Sequence, residues 1–405
     1  MIQQITLEEI NVFRSETPGT DNCIHFNNAG ASLIPLPVYK GMESYLKDEL
    51  LLGGYETQVK WQEALNHVYT QISNLIHAEP SEIALVESAT IAWYKAFHSL
   101  KLKAGDVVLT CESEYGSNFI GFLQASEELG VDIRVIPSDE TGTLSLPDLE
   151  AMIDQRVKLI AITHMPTNGG LVNPAEEVGE IAYKHSIPYL LDACQSVGQY
   201  PINVNKIKCT FLSATGRKYM RAPRGTGFLY VNKDWITRLG MVFPDLTSAE
   251  WVEAGKYIPR GSARRFENFE SNRGGLIGLG MAAEYIQRIG IERIWLRNVL
   301  LAAELRTRLS LVPGVRVTDQ GKIKSAIVTF SVDYIPSIEI KEYLISRRVH
   351  VSVSQAGSTR IDMDKRGLNS LVRASVHYYN TAEELTYLIE ALQACISYHR
   401  KGKNH

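Results

Sequence analysis

No apolar run in the 405 residues reaches the roughly 18 positions that a membrane-spanning helix needs. Charge of one sign is not in excess: 42 Lys and Arg stand against 45 Asp and Glu, a net charge of −3. A strong electrostatic pull towards nucleic acid or anionic lipid is therefore not expected. The five cysteines, Cys23, Cys111, Cys194, Cys209 and Cys395, are odd in number and form no C-x-x-C pair. That argues against a zinc ribbon, a redox pair and a disulfide framework, and buried free thiols are the expectation. A glycine-rich phosphate turn after the first strand is also missing, which argues against a dinucleotide-binding enzyme. Residues Met1 to Thr6 show no basic segment followed by an apolar stretch, so no secretory signal is expected and a cytoplasmic protein is.

What is present is ordinary for a globular enzyme: 45% hydrophobic and 21% charged residues, in a length that suits two domains. From about residue 80 to 231 short apolar runs alternate with helical patterns. Strands are expected at Ile83–Val86, Val107–Cys111, Ile133–Ile136, Leu159–Thr163, Tyr189–Leu191, Thr210–Ser213 and Gly227–Val231. Helices are expected at Asn118–Leu129 and Ala175–His185. Continuous apolar strands between amphipathic helices predict a mainly parallel sheet covered on both faces. After about residue 274 two long helical patterns, Leu276–Ile289 and Ile291–Leu311, precede strands at Ala326–Ser331, His350–Ser354 and Leu371–Val376. A last helix is expected over Glu383–Cys395, capped by Thr381. The division predicted is an N-terminal arm (1–30), a large domain (31–273) and a smaller α+β domain (274–405), with the Gly274-Gly275 pair read as a turn at the border.

Open α/β sheets bind ligands beyond the carboxyl ends of their strands, so the loops there carry the chemistry. Three are informative. After Ile83–Val86 come Glu87-Ser88-Ala89-Thr90 and a helix, a start that can hold a phosphate with N–H groups, hydroxyls and the helix dipole. After Tyr189–Leu191 comes Asp192, an acid at a poorly solvated strand end that needs a cationic partner. After Thr210–Ser213 comes Ala214-Thr215-Gly216-Arg217-Lys218, which puts a lysine at the same sheet edge. Together these are the parts that pyridoxal phosphate (PLP) requires. A lysine forms the Schiff base, a carboxylate keeps the pyridine nitrogen protonated, and a helix start holds the phosphate.

With those residues in view, the chain resembles the class V aminotransferases of PLP fold type I, the group that includes cysteine desulfurases. The resemblance runs from about His25-Phe26-Asn27-Asn28-Ala29-Gly30 to the stretch Val372 to Thr381. Within the group it is most similar to the isopenicillin N epimerase-like and hercynylcysteine sulfoxide lyase-like branch, through Pro166 to Pro174 and Ser262 to Glu267. The resemblance implies an α/β large domain with a mainly parallel seven-stranded sheet, PLP as the cofactor, an amino-acid substrate and a homodimer. It makes Lys218 the Schiff-base lysine, Asp192 the pyridinium partner and Tyr115 the residue stacked on the cofactor ring. Ala89, Thr90, Thr215 and Arg217 then fall to the phosphate, Gln195 to the phenolic oxygen, and Asn168 also to the cofactor. Arg373 would grip the substrate carboxylate, with Asn28 also on the substrate side. No metal is implied.

The chain departs from desulfurases at four places. Arg217 replaces the histidine before the lysine, and Tyr115 replaces the stacking histidine. Glu270 stands where a neighbouring subunit usually offers a threonine to the phosphate, with Ser271 or Asn272 as substitutes. The loop Ser352 to Arg360 lacks the nucleophilic cysteine, and nothing in the spacing favours Cys194 as the sulfur acceptor. After proton removal at Cα the chemistry can run to β-elimination, transamination or epimerisation, and the motifs are common to all three. Elimination at a C–S bond is the leading expectation.

Overall fold

The computed structural model describes residues 2–402. Seven strands form the main sheet: β1 (Ile83–Val86), β2 (Val107–Cys111), β3 (Asp132–Ile136), β4 (Val157–Thr163), β5 (Tyr189–Asp192), β6 (Phe211–Thr215) and β7 (Gly227–Val231). Their order is β1-β7-β6-β5-β4-β2-β3. Only β7 runs against its neighbours, so the sheet is mixed but mainly parallel, as expected. Side chains alternate across it. Leu159 and Ala161 face Trp93, Phe97 and Phe122, whereas Ile160 and Ile162 share a core with Ile72, Val178 and Leu279. Both faces are thus covered by helices, which is why the strands read as unbroken apolar runs rather than alternating ones.

A second sheet is wholly antiparallel, with strands Val315–Val317, Ile327–Val332, Ser370–Ser375 and Ser352–Gln355 in that order. Its core of Phe330, Leu344, Val372 and Leu388 is separate from those of the large sheet, and it also takes in Phe26 and Ala29 from the N-terminal segment. A parallel pair, Ile24–His25 with Val349–His350, ties that segment to the second sheet. Helix Ile291–Ser310 links the cores, with Ile294 in the first and Leu301 and Leu305 in the second. The Gly274-Gly275 pair is not a turn. It lies in the first turn of helix Arg273–Ile289, because Asn272 caps that helix by accepting from Gly275 N at 2.8 Å. Thr381 does begin the last helix, in a capping box with Glu384 (Glu384 N to Thr381 Oγ1 3.3 Å, Thr381 N to Glu384 Oε2 3.2 Å). Among the described residues no helix is long and apolar enough to cross a membrane.

Candidate active site

Strands β4, β5 and β6 are parallel neighbours that end together at Thr163, Asp192 and Thr215. Gly227, the first residue of β7, pairs with Thr215 and with Val86 at the end of β1. The three loops singled out in the sequence therefore open on one edge. They line a cleft bounded by Ser88, Thr90, Tyr115, Asp192, Gln195 and Lys218 among others. Ser88 caps the helix Ala89–Ser99 by accepting from Ile91 N at 3.3 Å, and the helical ladder starts at Ala92 N. The N–H groups of Ala89 and Thr90 are thereby left for a ligand. Gly227 brings this helix start down onto the sheet: a Cβ there would meet Ala214 O at 2.6 Å, Ser88 C at 3.0 Å and Ala89 N at 3.1 Å.

Lys218 is 8% exposed, and its Nζ lies 5.9 Å from the centre of the Tyr115 ring. Burial pushes the Lys218 ammonium below its ordinary range, while the nearby Asp192 charge pulls it back up. Tyr115 stands just before helix Gly116–Leu129. Gly116 is required there, because a Cβ would strike Gly357 O at 2.2 Å.

Asp192 is held by two donors. Cys194 N reaches Oδ1 at 2.9 Å and Asn118 Nδ2 reaches Oδ2 at 2.9 Å. The same Asn118 amide donates to Glu114 Oε1 at 2.8 Å. Glu114 is buried and also accepts from Thr163 Oγ1 (2.6 Å), Tyr115 N (3.0 Å) and Thr110 Oγ1 (3.1 Å). Burial raises the Glu114 acid to about 7 against those hydrogen bonds, and Asp192 adds to the rise. Between the ordinary glutamate range and about 7, the folded chain keeps a proton that the unfolded chain has released. Stability therefore falls as pH rises through that window. Glu114→Gln mimics the protonated acid, so the variant should lose this part of the slope. Thermal unfolding followed across the window checks it, and identical pH profiles for the two proteins would reject it.

Arg373 sits mid-strand, opposite Thr329 and Ser352. Its neighbours Val372 and Ala374 enter the small core, so alternation sends Arg373 to the other face, towards the cleft. Its NH1 donates to Thr167 Oγ1, and its NH2 reaches Asn27 Oδ1 at 3.4 Å. Its Nε is buried with no partner. Burial lowers the guanidinium to about 10, so it stays charged at neutral pH.

The sequence-predicted residues do not all gather equally. Ala89, Thr90, Tyr115, Asp192, Gln195, Thr215, Arg217 and Lys218 line the cleft together. Gln195 donates to Ala29 O at 3.0 Å and keeps a buried, unpartnered Oε1. Thr215 Oγ1 donates to Thr226 O at 3.3 Å, and Arg217 donates to Gly30 O. Asn168 spends its amide on Gln355 O and Thr359 Oγ1, both at 3.0 Å, fastening the loop of the second sheet. Asn28 is fully buried and bonded to His25 O (3.3 Å), Ser375 O (2.8 Å) and Tyr379 OH (2.6 Å), so it is Asn27 that meets Arg373. Glu270, Ser271 and Asn272 line a separate small cavity beside Glu87 and Lys95.

The segment Ser262 to Glu267 is a brace. Arg265 NH1 donates to Ile236 O at 2.7 Å, and Glu267 accepts from Tyr69 OH at 2.8 Å and Leu85 N at 2.8 Å. Glu114, Asn118, Thr163 and Thr167 were missed by sequence reasoning. The acid beside Tyr115 was the one available signal, and it is linked to Asp192 only through Asn118, which lies 74 positions from that aspartate.

The orphaned Gln195 Oε1, the free helix start, and Asp192 and Lys218 lining one cleft fit PLP. A family model, Aminotransferase class-V, matches residues 24–388. A probable cysteine desulfurase of Methanothermobacter thermautotrophicus is 28% identical over 94% of this chain and 96% of its own length. One from Pyrococcus abyssi is 27% identical over 95% and 96%. The apo structure of a cysteine desulfurase from Thermococcus onnurineus superposes with a TM-score of 0.90 at 26% identity, covering 98% of this chain and 100% of that one. The chain thus belongs to the class-V aminotransferase family of PLP enzymes, with the type I fold.

Proposed function

We propose that this protein is a β-eliminating C–S lyase acting on an amino acid, with Lys218 as the lysine that carries PLP. Bound in the cleft, PLP supplies the electron sink for charge that develops at Cα. The chain's own residues do the rest. Arg373, steadied by Thr167 and Asn27, offers a planar fork to the α-carboxylate. Lys218 Nζ, biased towards its neutral form by burial, takes the Cα proton. Asp192, held by Asn118 and Cys194 N, keeps a negative charge at the end of β5.

Elimination is favoured over desulfuration by one observation, the want of an acceptor thiolate. The loop Ser352 to Arg360 contains no cysteine. Cys194 lines the cleft, but burial first and the Asp192 charge second push its thiol up, so it stays protonated. A thiol in that state is a poor acceptor of sulfur. Relatives named probable cysteine desulfurases favour a C–S bond as the one broken. The branch with hercynylcysteine sulfoxide lyase-like proteins fits, because a sulfenate leaves without help from a protein thiol. Incubation with an amino-acid panel tests the reading. A lyase releases ammonia and an oxo acid continuously and leaves no persulfide on Cys194. Accumulation of the aminated cofactor, discharged by an added oxo acid, would establish transamination instead.

We also propose a homodimer. Helices Leu36–Leu52 and Gly54–Lys60 leave Leu50, Leu51, Tyr55 and Val59 between 68% and 83% exposed, and the hairpin Ala249–Pro259 exposes Trp251 at 69%. Such apolar surface is rarely left to solvent. Arg265 and Glu267 take no part in it, since both are buried in the brace. Ser271, whose hydroxyl is buried without a partner, is better placed than the helix-capping Asn272 to serve a neighbouring phosphate. Sedimentation at micromolar concentration should show a dimer, and an active, cofactor-loaded monomer would count against it. The cytoplasm is the proposed location.

A further inference from the structure

Cys23 immediately precedes the two-residue strand Ile24–His25. His350 is the register partner of His25 in the parallel pair. The result is a trio outside the cleft: one ligand atom from each of Cys23, His25 and His350 lies within 4.8 Å of the others. His25 is 8% exposed. Its Nε2 meets Ala31 O at 2.9 Å, which fixes that nitrogen as the N–H and leaves Nδ1 with a lone pair. Nδ1 is buried and has no hydrogen-bond partner. Backbone carbonyls commonly orient metal-bound histidines in this way. Cys23 and His350 are half-buried, so an ion can enter from solvent. The Cys23 thiol donates to Gly19 O at 3.5 Å, a weak hydrogen bond that is given up when a metal takes the thiolate.

We propose that Cys23, His25 and His350 form a binding site for Zn²⁺, with water as the fourth ligand. One thiolate and two neutral imidazoles are a donor set that suits zinc. Arg221 lies near enough to oppose a cation, but its guanidinium is taken by Leu33 O (2.9 Å), Tyr378 OH (2.6 Å) and Thr17 Oγ1 (2.6 Å). Glu384, near Cys23, adds negative charge. The consequence is mechanical. The ion would pin residues 23–25 to the strand Val349–His350, just before Asn27, Ala29 and Gly30, which contact Arg373, Gln195 and Arg217.

The test uses the full-length, cofactor-loaded protein freed of any affinity tag. It is equilibrated with Zn²⁺, dialysed and measured for metal. Wild type should retain about one zinc per chain, and both Cys23→Ser and His350→Gln should lose it. Zinc should also raise the thermal midpoint of wild type alone. Alkylation of Cys23, read by peptide mass, should be blocked by zinc in wild type, which keeps the test independent of how the variants fold. No retained zinc in wild type, undiminished zinc in either variant, or unprotected Cys23 would overturn the site.

Discussion

Borohydride reduction of a Lys218→Ala protein loaded with PLP leaves no reduced cofactor on the peptide that holds residue 218, whereas wild type carries it there. Turnover falls by about 10²–10⁴, the usual worth of a positioned proton-transfer group. The physical case rests on where the amine sits. Lys218 follows β6 into the cleft, beside the carboxylate that ends β5 and 5.9 Å from the Tyr115 ring centre. Among the described residues, Lys95 is the other buried lysine whose ammonium is pushed down by burial. Its Nζ is tied to Phe266 O at 2.6 Å and to Asn268 Oδ1, beside the separate cavity of Glu270 and Ser271. Reduced cofactor recovered on Lys95 would sink the assignment of Lys218.

Arg373→Lys lowers kcat/KM by about 5- to 150-fold, equivalent to about 1–3 kcal/mol for a hydrogen bond between charged groups. The loss falls mainly on KM, with reducible cofactor on Lys218 unchanged. Thr167 and Asn27 hold the guanidinium in one orientation, and its buried Nε has no hydrogen-bond partner among the described residues. A carboxylate can meet that edge in two parallel hydrogen bonds. Lysine keeps the charge but presents a single point, and it leaves Thr167 without its planar partner. An unchanged KM for every amino acid tried would show that the carboxylate is bound elsewhere.

Local pattern carried much of the fold. The seven main strands are each expected within a residue or two of where they lie, because a strand buried on both faces must be apolar throughout. The terminal helix begins where Thr381 and Glu384 say it should, since a capping box is a four-residue device. Asp192, Thr215 and Lys218 could be recognised because each stands within a few residues of a strand end. The glycine pair at 274–275 misled for the complementary reason. Glycines tolerate a turn but do not require one, and Asn272 started a helix there instead.

The amino-acid sequence by itself determined which segments are strands and helices, and which polar residues stand at strand ends. Those properties depend on neighbours a few positions apart. Tertiary structure alone decided the rest. Strand order brought Glu114 and Asn118 to Asp192, and one amide came to bridge two carboxylates. The pleat of the second sheet turned Arg373 to Thr167, which is 206 positions away. The pairing of residues 24–25 with 349–350 set His350 beside Cys23 and His25. Register and strand order are set by burial summed over the whole core, so no local window contains them.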